Sequence, residues 1–255
     1  MTIIIQSQEK PPIHSFSPIQ QDIYRALDSS PQPFYYDSAF VLEFELLLRE
    51  KLIQAAYQLH ESKAEFAPFD VSRFNPQIWT KTKYGYVLKP YILPSDAIRD
   101  VFQNSHLYAF ECSTAIVLLF YKSVLDSISI SRFNTLFQGL LVWDWNYDQD
   151  LGIDTRIGRD FIPGDVVYFY NPDFQHPIWT GENAVYLGND RYFGHGVGLE
   201  SERGMIEALN TLRKPGATQD AYLISQHSRL SYKYLSQFAR RAPQQDYHSS
   251  IMQLL

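Results

Sequence analysis

Between Ser38 and His60, apolar side chains recur at three- and four-residue spacing: Phe40, Val41, Phe44, Leu47, Leu48, Leu52 and Ala55. That period predicts an amphipathic helix, with Ser38 as its N-cap. Shorter helices are predicted over Pro18–Leu27, where Pro18 suits the first turn, and near Pro94–Gln103, Ser131–Gln138 and Ser201–Leu212. Residues 110–127 read differently. Ile116, Val117, Leu118, Leu119 and Phe120 are apolar all round, so this helix belongs in the core. Residues 1–18 carry prolines at 11, 12 and 18 with little periodicity, and read as an irregular arm.

The second half changes character. Phe161-Ile-Pro-Gly-Asp-Val-Val-Tyr-Phe-Tyr170 is a turn followed by a β-rich run. Glu182–Gly188 and Arg191–Val197 flank Gly-Asn-Asp, a hairpin signal, and a further strand is expected near Ala221–Gln226. Trp79–Leu88 reads as a strand pair and Leu140–Trp145 as a compact apolar stretch. Helices followed by a meander predict an α+β fold, and no repeat or linker divides the 255 residues, so one domain is expected.

Composition narrows the partners. Net charge is -6, and no basic cluster offers a surface for nucleic acid. No apolar run reaches the roughly 20 residues that span a bilayer, and the first residues lack the basic flank and apolar core of a signal peptide. Synthesis and folding in the cytosol are expected. Nothing resembles an acidic calcium loop or a nucleotide cradle, so neither metal nor cofactor is expected.

Cys112 is the only cysteine, so no intrachain disulfide forms. A free cysteine is usually an inert, buried hydrophobe. This one sits where a polar turn, opened by Asn104 or Ser105, meets the apolar helix. A helix start carries unpaired N–H groups and partial positive charge, which lowers a thiol's pKa and supplies donors for an oxyanion. A nucleophile also needs a base. The hairpin offers Glu182 at the start of one strand and His195 at the end of the other, while Glu111 adjoins the cysteine. Singly, each has a bland reading: a solvated acid, a structural histidine and a complement to the helix dipole.

Three separated segments resemble the small bacterial transglutaminases associated with Bacillus spore coats. They are Tyr-Ala-Phe-Glu-Cys-Ser-Thr-Ala-Ile-Val at 108–117, Gly-Glu-Asn-Ala-Val-Tyr-Leu-Gly-Asn-Asp-Arg-Tyr-Phe-Gly-His-Gly at 181–196, and Leu-Asn-Thr-Leu-Arg-Lys-Pro-Gly-Ala at 209–217. Phe44–Arg49 and Ala97–Asp100 extend the resemblance to nearly the whole chain. Pro163-Gly-Asp-Val-Val-Tyr-Phe also looks like the sheet of papain-like cell-wall amidopeptidases. There the first hairpin strand presents a catalytic histidine, whereas this chain has Glu182. The resemblance implies a papain-like core with its nucleophile at a helix N-terminus packed on an antiparallel sheet. It further implies Cys112, Glu182, His195 and Glu111 as the catalytic set, and Phe69, Trp145 and Trp179 as aromatic walls of a substrate passage.

The implied reaction is acyl transfer from a protein glutamine to a lysine through a Cys112 thioester. Its substrates would be spore coat proteins, and the enzyme would be made in the mother cell and end on the coat. A glutamate near pKa ~4.3 facing a thiol near ~8.5 is mismatched by roughly 5 to 6 kcal/mol. Burial must therefore raise the acid, or the helix dipole must lower the thiol. The competing readings are a papain-like cysteine hydrolase of peptidoglycan peptides, which should keep a histidine at position 182, and a catalytically silent coat component.

Overall fold

The computed structural model describes residues 2–6 and 9–239. The first half is mainly helical. β1 (Ile3–Ile5) precedes α1 (Pro18–Ser29), β2 (Phe34–Tyr36), α2 (Ala39–His60) and β3 (Glu65–Phe66). Then come β4 (Trp79–Thr82), β5 (Gly85–Leu88), α3 (Pro94–Gln103), β6 (Ala109–Phe110), α4 (Cys112–Ser127) and α5 (Ile130–Leu136). The second half is mainly strand: β7 (Leu141–Val142), β8 (Ile153–Ile157), β9 (Val166–Tyr170), β10 (Gly181–Gly188), β11 (Arg191–Gly194) and β12 (Gly198–Glu200). It continues through α6 (Glu202–Asn210), β13 (Tyr222–Leu230) and α7 (Tyr232–Leu235).

The α+β architecture follows from which faces are apolar. α4 is buried along almost its whole length, between α2 and an antiparallel sheet of order β12-β11-β10-β9-β13-β8. On α2, Phe44, Leu48, Leu52 and Leu59 join the core around α4, while Leu42, Leu46 and Ile53 face α1 through Ile23, Tyr24 and Leu27. Each such side chain contributes about 1.5–3 kcal/mol on burial, which fixes the helix layer firmly.

A buried ion network ties that layer to the sheet. Arg49 of α2 reaches Glu45 and Asp165, both at 2.8 Å, and Asp165 also holds Arg229 of β13 at 2.6 Å. Burial alone would raise the Asp165 pKa, but the Arg49 and Arg229 guanidiniums hold it below the ordinary carboxylate range. Removing one partner of such a buried network typically costs about 3–5 kcal/mol. Asp165 opens β9, next to β10, so α2 and the strand that carries Glu182 are held in one frame.

Several expectations need correction. The N-terminal arm is not wholly irregular: Ile3–Ile5 pairs in parallel with Phe34–Tyr36. Ser38 occupies the N-cap position of α2, but its side chain makes no capping hydrogen bond. Asn104 and Ser105 do open the polar turn, a 3-10 turn over Ser105–Leu107, but β6 separates it from α4, whose cap is Glu111. The predicted hairpin forms with left-handed Asn189 and Asp190 at its turn, though β11 stops at Gly194. β8 was not anticipated. It is a sheet edge whose side chains are largely exposed, so pairing with β13 sets its conformation and apolar pattern does not.

Candidate active site

Glu111 and Cys112 stand at the first turn of α4. The Glu111 Oε2 accepts the Ser113 N–H at 2.6 Å and its Oε1 accepts the Thr114 N–H at 2.9 Å, with both neighbouring hydroxyls donating to the same carboxylate. The Ala115 N–H goes to the Glu111 carbonyl. Most of the helix-start donors are thus committed to the cap, and the expected backbone oxyanion donors shrink accordingly. Asn183, which the sequence pattern did not single out, supplies a side-chain donor instead: its Nδ2 donates to Cys112 Sγ at 3.4 Å.

The thiol is 8% exposed. Burial, followed by the charges of Glu182 and Glu111, pushes its pKa well above the ordinary value, against the backbone and side-chain donors of Asn183. The expectation of an acidic thiol is therefore overturned. Dry surroundings and two neighbouring carboxylates disfavour the thiolate.

Glu182, on β10, is fully buried. Burial pushes its pKa up to about 8; the Glu111 charge adds to this, while the Gly196 N–H and the Cys112 thiol oppose it. Its Oε1 accepts the Gly196 N–H at 2.9 Å, and its Oε2 has no hydrogen-bond partner among the described residues. The Gly-His-Gly segment makes room for this side chain. A Cβ at Gly194 would lie 2.6 Å from Glu182 Cγ, and one at Gly196 would lie 2.8 Å from Oε2. Those glycines were a signal in the sequence that pointed at an occupant.

His195 lies between them in the chain but does not hydrogen-bond Glu182. Its Nε2 contacts the Glu65 carbonyl at 3.2 Å, and its ring stacks on Phe110 with centroids 4.7 Å apart. A carbonyl only accepts, so Nε2 carries the proton in that contact. Burial among aromatic rings holds the imidazole pKa below its ordinary value, against the backbone carbonyls.

A cavity of about 710 Å³ reaches the thiol, lined by Cys112, Asn183, Phe69, Trp143, Trp145 and Tyr168 among others. Phe69 and Trp145 thus stand in its wall. Trp179 is not among the lining residues, although Ile178 and Thr180 are; its ring stacks on Phe66 at 4.8 Å. Glu182 and His195 also lie outside that wall, so the acid sits behind the sulfur as seen from the cavity. Asp144 is a second residue that the sequence pattern did not single out. It joins the cavity wall to α4, with its N–H donating to Thr114 Oγ1 at 2.8 Å.

The sequence model of the protein-glutamine gamma-glutamyltransferase family matches residues 1–239. The protein-glutamine gamma-glutamyltransferase of Bacillus pumilus (strain SAFR-032) is 44% identical over 218 residues, covering 84% of this chain and 88% of that protein. The Bacillus subtilis (strain 168) protein of the same name is 41% identical over 228 residues, covering 87% and 93% respectively. The solved structure of the transglutaminase from Geobacillus stearothermophilus, without its C-terminal extension, superposes with a TM-score of 0.77 at 50% identity. It covers 80% of this chain and 99% of that one. The chain belongs to the protein-glutamine gamma-glutamyltransferase family and is an acyltransferase.

Proposed function

We propose that the enzyme cross-links proteins through ε-(γ-glutamyl)lysine bonds, with Cys112 as nucleophile and Glu182 as the group that moves the protons. One observation carries the assignment: a fully buried carboxyl with a pKa near 8 lies behind the only thiol. A carboxyl raised by burial is a stronger base than an ordinary glutamate, which is what taking a proton from a thiol requires. The thiol is raised as well, so proton transfer moves one negative charge between two dry sites and leaves the total unchanged.

The carboxylate takes the thiol proton, and Sγ attacks the γ-carboxamide carbon of a glutamine. The C–S bond forms, and the oxyanion is met by the Asn183 amide. Collapse breaks the C–N bond, and ammonia leaves with the proton held by Glu182. The lysine amine then attacks the thioester carbon, giving its proton to Glu182. The C–S bond breaks, the isopeptide is released, and the thiolate recovers the proton. Aromatic walls keep water from the thioester during this interval.

Glu111 acts in this scheme through its charge and by capping α4, and His195 as a neutral prop on Phe110. Membership of the family supports proteins bearing reactive glutamine and lysine as substrates. That these are spore coat proteins, and that the enzyme is made in the cytosol of the mother cell, belongs to the same proposal. A peptidoglycan hydrolase is disfavoured because a glutamate occupies position 182. The test combines a glutamine-bearing protein with a fluorescent primary amine. Wild type should incorporate the amine and Cys112→Ser should not; incorporation by the serine variant would remove Cys112 from the nucleophile role.

A further inference from the structure

The cavity that reaches the thiol carries charge of one sign. Asp144 and Glu111 line it, and no lysine or arginine among the described residues does. Glu111 is occupied by the α4 cap. Asp144 is not comparably tied down: it is exposed and pairs with no cation among the described residues. Its Oδ1 lies 2.7 Å from Ser113 Oγ, whose single hydrogen is shared with Glu111, while Oδ2 takes no hydrogen bond among the described residues.

The backbone shows that this placement is built. Asp144 has φ of 52°, in the left-handed region that Asp and Asn tolerate better than other residues with a side chain. A turn closed by the Asn146 N–H on the Trp143 carbonyl, at 2.9 Å, holds it between Trp143 and Trp145. The result is one carboxylate in a cavity wall that Trp143 and Trp145 also line, held against the first turn of the nucleophile helix. Carboxylate and aromatic faces together form the chemistry that recognises an alkylammonium.

We propose that Asp144 is the docking group for the ammonium of the acceptor lysine, a specificity residue of the cavity mouth. The proposal rests on the transamidation reading above. A glutamine side chain is uncharged and gains nothing from Asp144, whereas a lysine arrives as a cation and is drawn to this carboxylate. The methylene stem then lies along Trp145 and Trp143. Docking makes and breaks no covalent bond; the ammonium then releases one proton to solvent, and the neutral amine moves inward to the thioester, where its second proton goes to Glu182.

The test is Asp144→Asn, which keeps the size, an acceptor oxygen and tolerance of the left-handed backbone while removing the charge. A glutamine peptide serves as donor. Two acceptors are compared: a fluorescent cadaverine, which is a cation, and hydroxylamine, which is uncharged at neutral pH. The ratio of the cadaverine KM to the hydroxylamine KM should rise by about three- to tenfold, with the kcat for cadaverine changing far less. Added salt should raise the wild-type cadaverine KM towards that of the variant and leave the variant's unchanged. An unchanged ratio, or equal losses for both acceptors, would overturn the proposal, the latter showing that Asp144 only supports the α4 turn. Failure of wild type to use either acceptor would instead defeat the transamidation reading, and this proposal with it.

Discussion

Gly196 donates its backbone N–H to Oε1 of Glu182 at 2.9 Å, across the hairpin from the strand that carries the acid. Among the described residues this is the only backbone hydrogen bond that the Glu182 carboxyl receives, and Oε2 has none. A carboxylate with so little support in a dry site favours its protonated form. The acid is accordingly poised to release and take up a proton near the pH at which amines and thiols react.

Glu182→Gln keeps the shape and cannot carry a proton. Its kcat/KM for a glutamine donor should fall by about 10²–10⁴, the scale for loss of an acid–base group. In wild type the same parameter should rise with pH through about 8, because the carboxylate form is the base. A variant with near-normal activity would mean that another group moves the protons.

The raised pKa also predicts a stability profile. Glu182 titrates near 8 in the folded protein and near ~4.3 when unfolded, so between those values the folded state binds more protons. By linkage, its contribution to stability is intact below pH ~4.3 and is lost as pH climbs towards the folded value. Glu182→Gln should therefore melt close to wild type in acid and progressively higher than wild type towards pH ~8. Parallel melting curves at every pH would contradict the buried, protonated acid.

Gly196→Ala brings a Cβ to 2.8 Å from Glu182 Oε2 and 3.1 Å from the Phe66 ring. Neither Gly194 nor Gly196 has a positive φ, so only contact is at issue. The expected result is a loss of kcat of at least about tenfold, with the fold retained by circular dichroism. Full activity would show that Glu182 can work from another position.

Glu111→Gln and His195→Ala should both be milder than Glu182→Gln. Glutamine has one acceptor oxygen where the cap uses two, so α4 should lose about 1 kcal/mol and activity should persist in part. His195→Ala removes the stack on Phe110 and should lower Tm more than kcat. A pH–rate profile without a limb near ~6.5 would accord with an imidazole that stays neutral. An inactive His195→Ala beside an active Glu182→Gln would restore a Cys–His pair.

The helices were legible because their apolar positions repeat: α3 lies over the predicted Pro94–Gln103, and α2 runs Ala39–His60 with Ser38 at the expected N-cap position. β8 was not, since an exposed edge strand with Asp154 and Arg156 carries no apolar rhythm. At the site, the sequence named Cys112, Glu182, Glu111 and His195, and the fold brings Glu182 and Glu111 to the thiol while His195 bonds elsewhere. The direction of the thiol's pKa was misread, because the local helix start was visible in the chain and the burial by the sheet was not. Asn183 and Asp144 went unseen for the same reason. An amide and an acid give no pattern until tertiary packing sets one beside a sulfur and the other against the first turn of α4.

The close approach of Glu182 to two glycines leaves a trace that can be read in other chains. A glutamate followed by an asparagine, with glycines twelve and fourteen positions after the glutamate around a histidine, marks a hairpin whose second strand has been hollowed for a carboxyl. A histidine in the glutamate's place has a flat ring and different reach, and has no need of that hollow. Glutamate and both glycines are then the combination that selection should keep together. Other sequences with a cysteine at a helix start can be sorted by that spacing alone, into those whose thiol faces a buried acid and those whose thiol faces an imidazole.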